Sequence, residues 1–304
     1  MKWQGRERSS NIEDRRSQGG MGGGFGRSGG FGIPGGVRLP TGRAGGGGLG
    51  LLGIIVVLGI IWFVSGQNPI DILTGGGGAV APSSQQWSTP STAAGEDELA
   101  DFVGVVVKDT ENLWGKVFQE NNLTYRPPTV VLFSGTTQSA CGAAQSESGP
   151  FYCPNDKKVY IDLSFYDQLR RQFGAPGDFA QAYVIAHEIG HAVQDQTGVL
   201  PEFNRARATM SQEQQNAYSV RVELQADCYA GVWANYANRQ NYLEQGDVEE
   251  AINAANAIGD DTLTRGQVSS RNFTHGTSEQ RMAWLKRGMQ TGDVGQCDTF
   301  NASI

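Results

Sequence analysis

The run Tyr183-Val184-Ile185-Ala186-His187-Glu188-Ile189-Gly190-His191 decides how this sequence folds. His187 and His191 are four residues apart. On an α-helix that spacing stacks both imidazoles on one face, about one turn apart, within reach of a single metal ion. Zinc suits them, because it takes neutral imidazole nitrogen at roughly 2.0–2.1 Å and is commonly tetrahedral. Glu188 follows the first histidine directly and can lean over a water at the metal without being a ligand, which suits a general base. The chain has three histidines in 304 residues, so two of them at this spacing around a glutamate are a specific signal. The bland alternative is a surface helix with two solvated histidines. Val184, Ile185, Ala186 and Ile189 oppose it, because they place the motif on a buried helix, where ionisable groups need partners.

Downstream, Arg221-Val222-Glu223-Leu224-Gln225-Ala226-Asp227 lies in a second helical pattern. Two histidines and Glu223, with water as fourth ligand, make an open catalytic zinc site. Asp227, four residues later, shares the helical face of Glu223 and can accept the other ring N–H of a ligand histidine, fixing its tautomer. Taken alone, the pair reads as two solvated carboxylates on an amphipathic helix; the histidine motif gives it a metal to serve.

His187-Glu188-Ile189-Gly190-His191 followed by Glu223-x-x-x-Asp227 resembles the gluzincin pattern of zinc metallopeptidases. More narrowly, the chain is similar to a bacterial family of neutral zinc metallopeptidases. The residues that carry this are Met1-Lys2-Trp3-Gln4-Gly5-Arg6, Cys141-Gly142, Tyr152-Cys153-Pro154, the Glu223–Asp227 stretch and His275-Gly276-Thr277-Ser278-Glu279-Gln280-Arg281. The resemblance covers nearly the whole chain. It implies a zincin-like domain, one zinc ion per chain and hydrolysis of a peptide or protein substrate, endopeptidase before exopeptidase, and it names no target. It also implies an edge strand beside the metal helix, for which Val159–Leu163 is the candidate. A hydrogen-bonding side chain should steady the tetrahedral intermediate. His275 suits that task, with Tyr183 and Tyr229 as further donors. Arg281 could anchor a carboxylate of substrate or protein, but a surface arginine is the preferred reading.

Composition divides the chain. Residues 1–50 hold 18 of the 43 glycines, and residues 1–43 carry a net charge of +5 within a chain of −7. The reading is a disordered, basic, Gly-rich tail over 1–45, because such a segment buries too little surface to offset its ordering entropy. No charge occurs between Arg43 and Asp71, and Leu49 to Val64 is apolar throughout, so residues 46–66 read as one transmembrane helix. Basic residues before it and acids after it place the N-terminus in the cytoplasm and the domain outside, at a bacterial inner membrane facing the periplasm. An uncleaved anchor is preferred to a signal peptide, since Ala79-Val80-Ala81 lies far from the apolar run and precedes Pro82. Residues 67–95 form a flexible linker, and 96–304 the metallopeptidase domain. The net −12 past residue 43 argues against nucleic acid as partner.

All four cysteines, Cys141, Cys153, Cys228 and Cys297, follow the apolar run, as disulfides in an exported domain would. Three pairings are open. Cys141 with Cys153 and Cys228 with Cys297 is the preferred set. Cys228 as a thiolate ligand is the alternative, although it sits about 140° around the helix from Glu223.

The domain reads as α+β, mostly helical with a small sheet. Helices are expected over 96–120, from Ser164 to Phe173, from an Asp178/Gln181 capping box to Gly198, over 205–239, 247–258, and from a Thr277/Gln280 box to about Arg287. Thr129–Phe133 and Lys158–Leu163 read as strands. Two other classes of function fit parts of the pattern. One is a deformylase-like amide hydrolase taking a cysteine upstream, such as Cys141. The other is a membrane-tethered binding or scaffold protein that keeps zinc without turnover.

Overall fold

The structure is a computed structural model and describes residues 1–18, 93–145, 149–171, 174–175 and 177–304. Met1–Gly19 and Pro90–Ile304 belong to one compact unit. Its sheet has four strands, β1 (Ile12–Asp14), β2 (Thr129–Phe133), β5 (Phe151–Cys153) and β6 (Lys158–Asp162), in the order β1-β2-β6-β5. β2 pairs in parallel with β1 and β6, and β5 runs antiparallel to β6. β3 (Thr136–Ser139) and β4 (Gly142–Gln145) form a separate hairpin.

The apolar runs in β2 and β6 follow from burial on both faces. Val130, Leu132, Val159 and Ile161 join the main core with the helices, while Val131, Phe133 and Tyr160 pack with Ala144 and Cys153 in a smaller core. Each such side chain is worth about 1.5–3 kcal/mol when fully buried.

Eight α-helices complete the unit among the described residues: α1 (Ala93–Glu120), α2 (Ser164–Arg171), α3 (Asp178–Gln196), α4 (Val199–Ala206), α5 (Gln212–Arg239), α6 (Asp247–Ala257), α7 (Asp260–Leu263) and α8 (Ser278–Thr291). The α+β class, mostly helical with a small sheet, is the expected one. α3 is the central helix, packed on α1, α5 and α6. α5 and α8 meet at Gly231 and Gly288, where a Cβ would run into the partner helix's backbone.

Several expectations are corrected. Residues 1–18 are an ordered part of the unit, not a disordered tail. Ile12, Glu13 and Asp14 pair with Val130, Val131 and Leu132. Arg6 ion-pairs with Asp109, and its guanidinium lies 3.3 Å from the centre of the Tyr242 ring. Lys158 Nζ is 2.7 Å from Glu13 Oε2, and Trp3 packs edge-on to Phe102 at 5.7 Å. The Met1 ammonium sits 2.6 Å from Asp178 Oδ1. Within residues 1–18 the basic side chains Lys2, Arg6, Arg8, Arg15 and Arg16 each have a specific partner, a fact hidden by averaging these residues with the glycines that follow. The remaining tail, the apolar span at 46–66 and the linker up to residue 92 lie outside the described residues. Among those described, no helix is long and apolar enough to cross a membrane.

β6 lies inside the sheet, so Val159–Leu163 is not an edge strand; β5 holds that edge. Asp178 does not cap α3. Gly177 does, in a conformation with φ 130°, and Asp178 turns to the Met1 ammonium instead. The expected helix over 205–239 is broken, because Ser211 forms a capping box with Gln214 and starts α5 afresh. The Thr277/Gln280 box does open α8.

Candidate metal centre

α3 presents His187 and His191 with ring centroids 4.8 Å apart and planes nearly perpendicular. Between them Gly190 faces α5, where an added Cβ would lie 3.3 Å from Ala226 Cα and Ala226 O. That close approach brings Glu223 up to both histidines. Glu223 Oε2 is 3.1 Å from His187 Nε2, and Oε1 is 3.5 Å from His191 Nε2. Glu188 Oε, like the two histidine nitrogens, falls within a 4.8 Å cluster of donor atoms. Glu223 reaches both nitrogens and is a candidate third ligand, with Glu188 beside it.

The outer ring nitrogens are also engaged. His187 Nδ1 is 2.8 Å from Asp227 Oδ1, and His191 Nδ1 is 2.8 Å from Gln194 Oε1. A carboxylate and an amide oxygen can only accept, so both Nδ1 atoms carry hydrogen, and in the neutral rings both Nε2 lone pairs turn toward Glu223. With both rings neutral, the two imidazoles and the carboxylate face one another as acceptors with no donor between them. This donor set fits a cation of the zinc type. Burial would depress the His187 imidazole, but Asp227 and Glu223 overcome it and raise it to about 10. The surplus negative charge that draws a proton to His187 is charge a metal ion would satisfy.

Asp227 is fully buried, and Arg281 neutralises it. Arg281 Nε donates to Oδ2 and Nη2 to Oδ1, each at 2.9 Å, and Tyr183 Oη donates to Oδ1 at 2.6 Å. Burial pushes the Asp227 carboxyl up, but Arg281 and His187 hold it down at about 2. Arg281 is therefore a buried structural cation, not the surface residue expected. The Tyr183 hydroxyl is committed to Asp227, and Tyr229, packed against Trp114 at 5.2 Å, is not among the cleft-lining residues.

The site opens into a cleft of about 360 Å³ lined by Phe151, Tyr152, Phe165, Val184, Ile258 and His275, among others. Glu188 also faces it; burial raises its carboxyl above the ordinary range against the pull of the two histidines. Tyr152 Oη donates to Asp195 Oδ2 at 2.7 Å, fastening β5 to α3. His275 Nδ1 lies 3.1 Å from Asp260 Oδ1, while Asp260 Oδ2 accepts from the backbone N–H groups of Thr274, His275 and Gly276. The cysteines pair as Cys141–Cys153 and Cys228–Cys297. Thiolate ligation by Cys228, and a deformylase-like site using Cys141, are thereby excluded.

Sequence reasoning missed Asp260, Gln194 and β5. Asp260 is 15 residues from His275 with no periodicity linking them. Gln194 carried a signal, since it sits three residues past His191 on a helix buried nearly all round.

His187, His191 and Glu223, with Glu188 beside them, make a candidate metal centre at the floor of an open cleft. The chain belongs to the family described as "Putative neutral zinc metallopeptidase", which it matches over residues 1–300. It is 48% identical to the uncharacterized protein YpfJ of Escherichia coli K12 over the full length of both chains. It is 44% identical to the uncharacterized protein Rv2575 of Mycobacterium tuberculosis H37Rv, over 66% of this chain and 72% of that protein. No solved structure matches.

Proposed function

We propose that the protein is a zinc-dependent endopeptidase with His187, His191 and Glu223 as ligands. The observation that carries this is the convergence of both Nε2 atoms on the Glu223 carboxylate, at 3.1 and 3.5 Å. When bound, zinc supplies Lewis-acid polarisation of the scissile carbonyl and acidifies its water. Glu188 accepts the water proton on its carboxylate and passes it to the leaving nitrogen. Its burial supports this, because a carboxyl raised toward neutrality both takes and returns a proton readily. Asp227, fixed by Arg281 and Tyr183, holds the His187 tautomer. His275, oriented by Asp260, donates to the developing oxyanion.

The position of β5, the edge strand whose Phe151 and Tyr152 line the cleft, supports an extended peptide laid along it, with main-chain hydrogen bonds as in other strand additions. Among the described residues Arg281 is the only lining arginine or lysine, and Asp227 and the Ile258 carbonyl engage it. No arginine or lysine among them is left to hold a substrate's terminal carboxylate, which favours cleavage within a chain.

Two disulfides support an exported domain. A strand shares the compartment of the sheet it joins, which supports placing Met1–Gln18 on the same side of a membrane as the zinc domain. The apolar run at 46–66 is the proposed membrane contact, on sequence alone, and both of its flanks then share one side.

The test uses the full chain, zinc analysis and an unfolded protein as substrate. Glu188→Gln should keep one zinc and lose cleavage by about 10²–10⁴-fold, and Glu223→Ala should lose zinc. Undiminished cleavage by zinc-loaded Glu188→Gln would remove Glu188 from the reaction.

A further inference from the structure

The two histidines are held by unlike partners. His187 leans on a carboxylate, whereas His191 leans on an amide that continues inward. Gln194, fully buried, receives His191 Nδ1 at Oε1, 2.8 Å away. Its Nε2 donates to the Val222 carbonyl at 2.7 Å and to Gln225 Oε1 at 3.0 Å. Gln225, 6% exposed, donates from Nε2 to the Cys297 carbonyl at 3.1 Å. Cys297 is tied to Cys228 on α5.

The direction of this chain of hydrogen bonds is forced. A backbone carbonyl can only accept. Cys297 O therefore requires the NH₂ end of Gln225, which turns Gln225 Oε1 toward Gln194. Gln225 Oε1 and Val222 O both require the NH₂ end of Gln194, which turns Gln194 Oε1 toward His191. That oxygen admits only a protonated Nδ1, so the lone pair of His191 stays on Nε2, facing Glu223. Flipping either amide would set oxygen against oxygen in a site without water access, leaving buried acceptors unpaired at about 1–3 kcal/mol each.

We propose that Gln194 and Gln225 are positioning residues for the metal. They form a relay that transmits the fixed polarity of the Cys297 carbonyl to the His191 ring, and the Cys228–Cys297 disulfide holds the far end in place. This rests on His191 being a zinc ligand. The C-terminal segment thereby contributes to metal affinity without approaching the metal. Arg221 reinforces it, donating to the carbonyls of Thr299 and Ala302, while Thr299 Oγ1 donates back to Arg221 O at 2.7 Å.

The test compares full-length wild type, Gln194→Met, Gln225→Leu and the double variant by zinc affinity under chelator competition. Ring-nitrogen NMR of the three histidines provides the second readout. Loss of an outer partner of a ligand histidine costs about 10- to 100-fold in metal affinity, which is the fall expected for Gln194→Met. Gln225→Leu should lose less, because Val222 O still orients Gln194. The double variant should be no weaker than Gln194→Met alone, because both act along one path. His191 should be Nδ1-protonated in wild type and mixed between tautomers in Gln194→Met. A Gln194→Met protein within about threefold of wild-type affinity, with an unchanged His191 tautomer, overturns the relay. So do losses that simply add in the double variant. A wild type that binds no zinc overturns the metal reading instead, and the relay is then decided by the His191 tautomer in wild type and Gln194→Met.

Discussion

Arg281 grips Asp227 at both carboxylate oxygens, 2.9 Å each, inside the protein and behind His187. The link joins α8 to α5 and sets the charge of the group that orients His187. Arg281→Leu strands a buried carboxylate, and removing one partner of a buried pair costs about 3–5 kcal/mol. Urea unfolding should report that loss, together with weaker zinc retention. Arg281→Lys should recover little, since an ammonium cannot reproduce the two-pronged grip.

Asp227→Asn keeps the shape and removes the charge. Zinc affinity should fall by about 10- to 100-fold, measured by chelator competition, while Glu188 stays in place. The same carboxylate ties stability to acid. Its folded value is about 2 against 3.8 in the open chain, so its contribution is present above 3.8 and is lost as pH falls through about 2. Acid unfolding of Asp227→Asn should lack that component.

His275 and Asp260 predict the alkaline limb of activity. Burial lowers the His275 imidazole, but Asp260 reverses this and raises it above 6.5. As the proposed oxyanion donor, the His275 imidazolium should therefore persist past the ordinary histidine range and be lost as pH rises through the raised value. Asp260→Asn should move this limb of kcat/KM to lower pH. His275→Ala should abolish the limb and lower kcat by about 10²–10³-fold. An alkaline limb that survives in His275→Ala would assign it elsewhere.

Gly190 sets the distance between the two metal-bearing helices. An alanine Cβ would sit 3.3 Å from the Ala226 backbone, tighter than ordinary contact, and a valine would add two methyl groups. Gly190→Val should spread α3 from α5 and release zinc, whereas Gly190→Ala should lower affinity only modestly. Thermal unfolding with and without zinc measures both.

The N-terminal strand makes a prediction about compartment. No cysteine is free, so a single introduced thiol can be labelled alone. Glu7 and Glu279 are exposed positions, one on the N-terminal segment and one on α8. In intact cells, Glu7→Cys and Glu279→Cys should react alike with a membrane-impermeant maleimide. Opposite reactivity would separate the segment from the zinc domain.

The histidine spacing, the apolar runs of β2 and β6 and the capping box of α8 are local properties, so the sequence by itself determined the helix with His187 and His191, the second helix with Glu223 and Asp227, two strands of the small sheet and the mostly helical class. Their physics is written within a few turns of chain: a 3.6-residue period, a side chain that can reach its own backbone, an apolar run of strand length. Tertiary structure alone decided the rest. Asp260 meets His275, Arg281 meets Asp227, and β5 rather than β6 takes the sheet edge through contacts between distant segments, for which no local pattern exists. The N-terminal residues are the clearest case. Their composition, averaged with the glycines that follow, describes a chain too poor in apolar side chains to order itself. They are ordered because α1, β2 and β6 supply a backbone ladder and the opposite charges that a local reading of the segment does not contain.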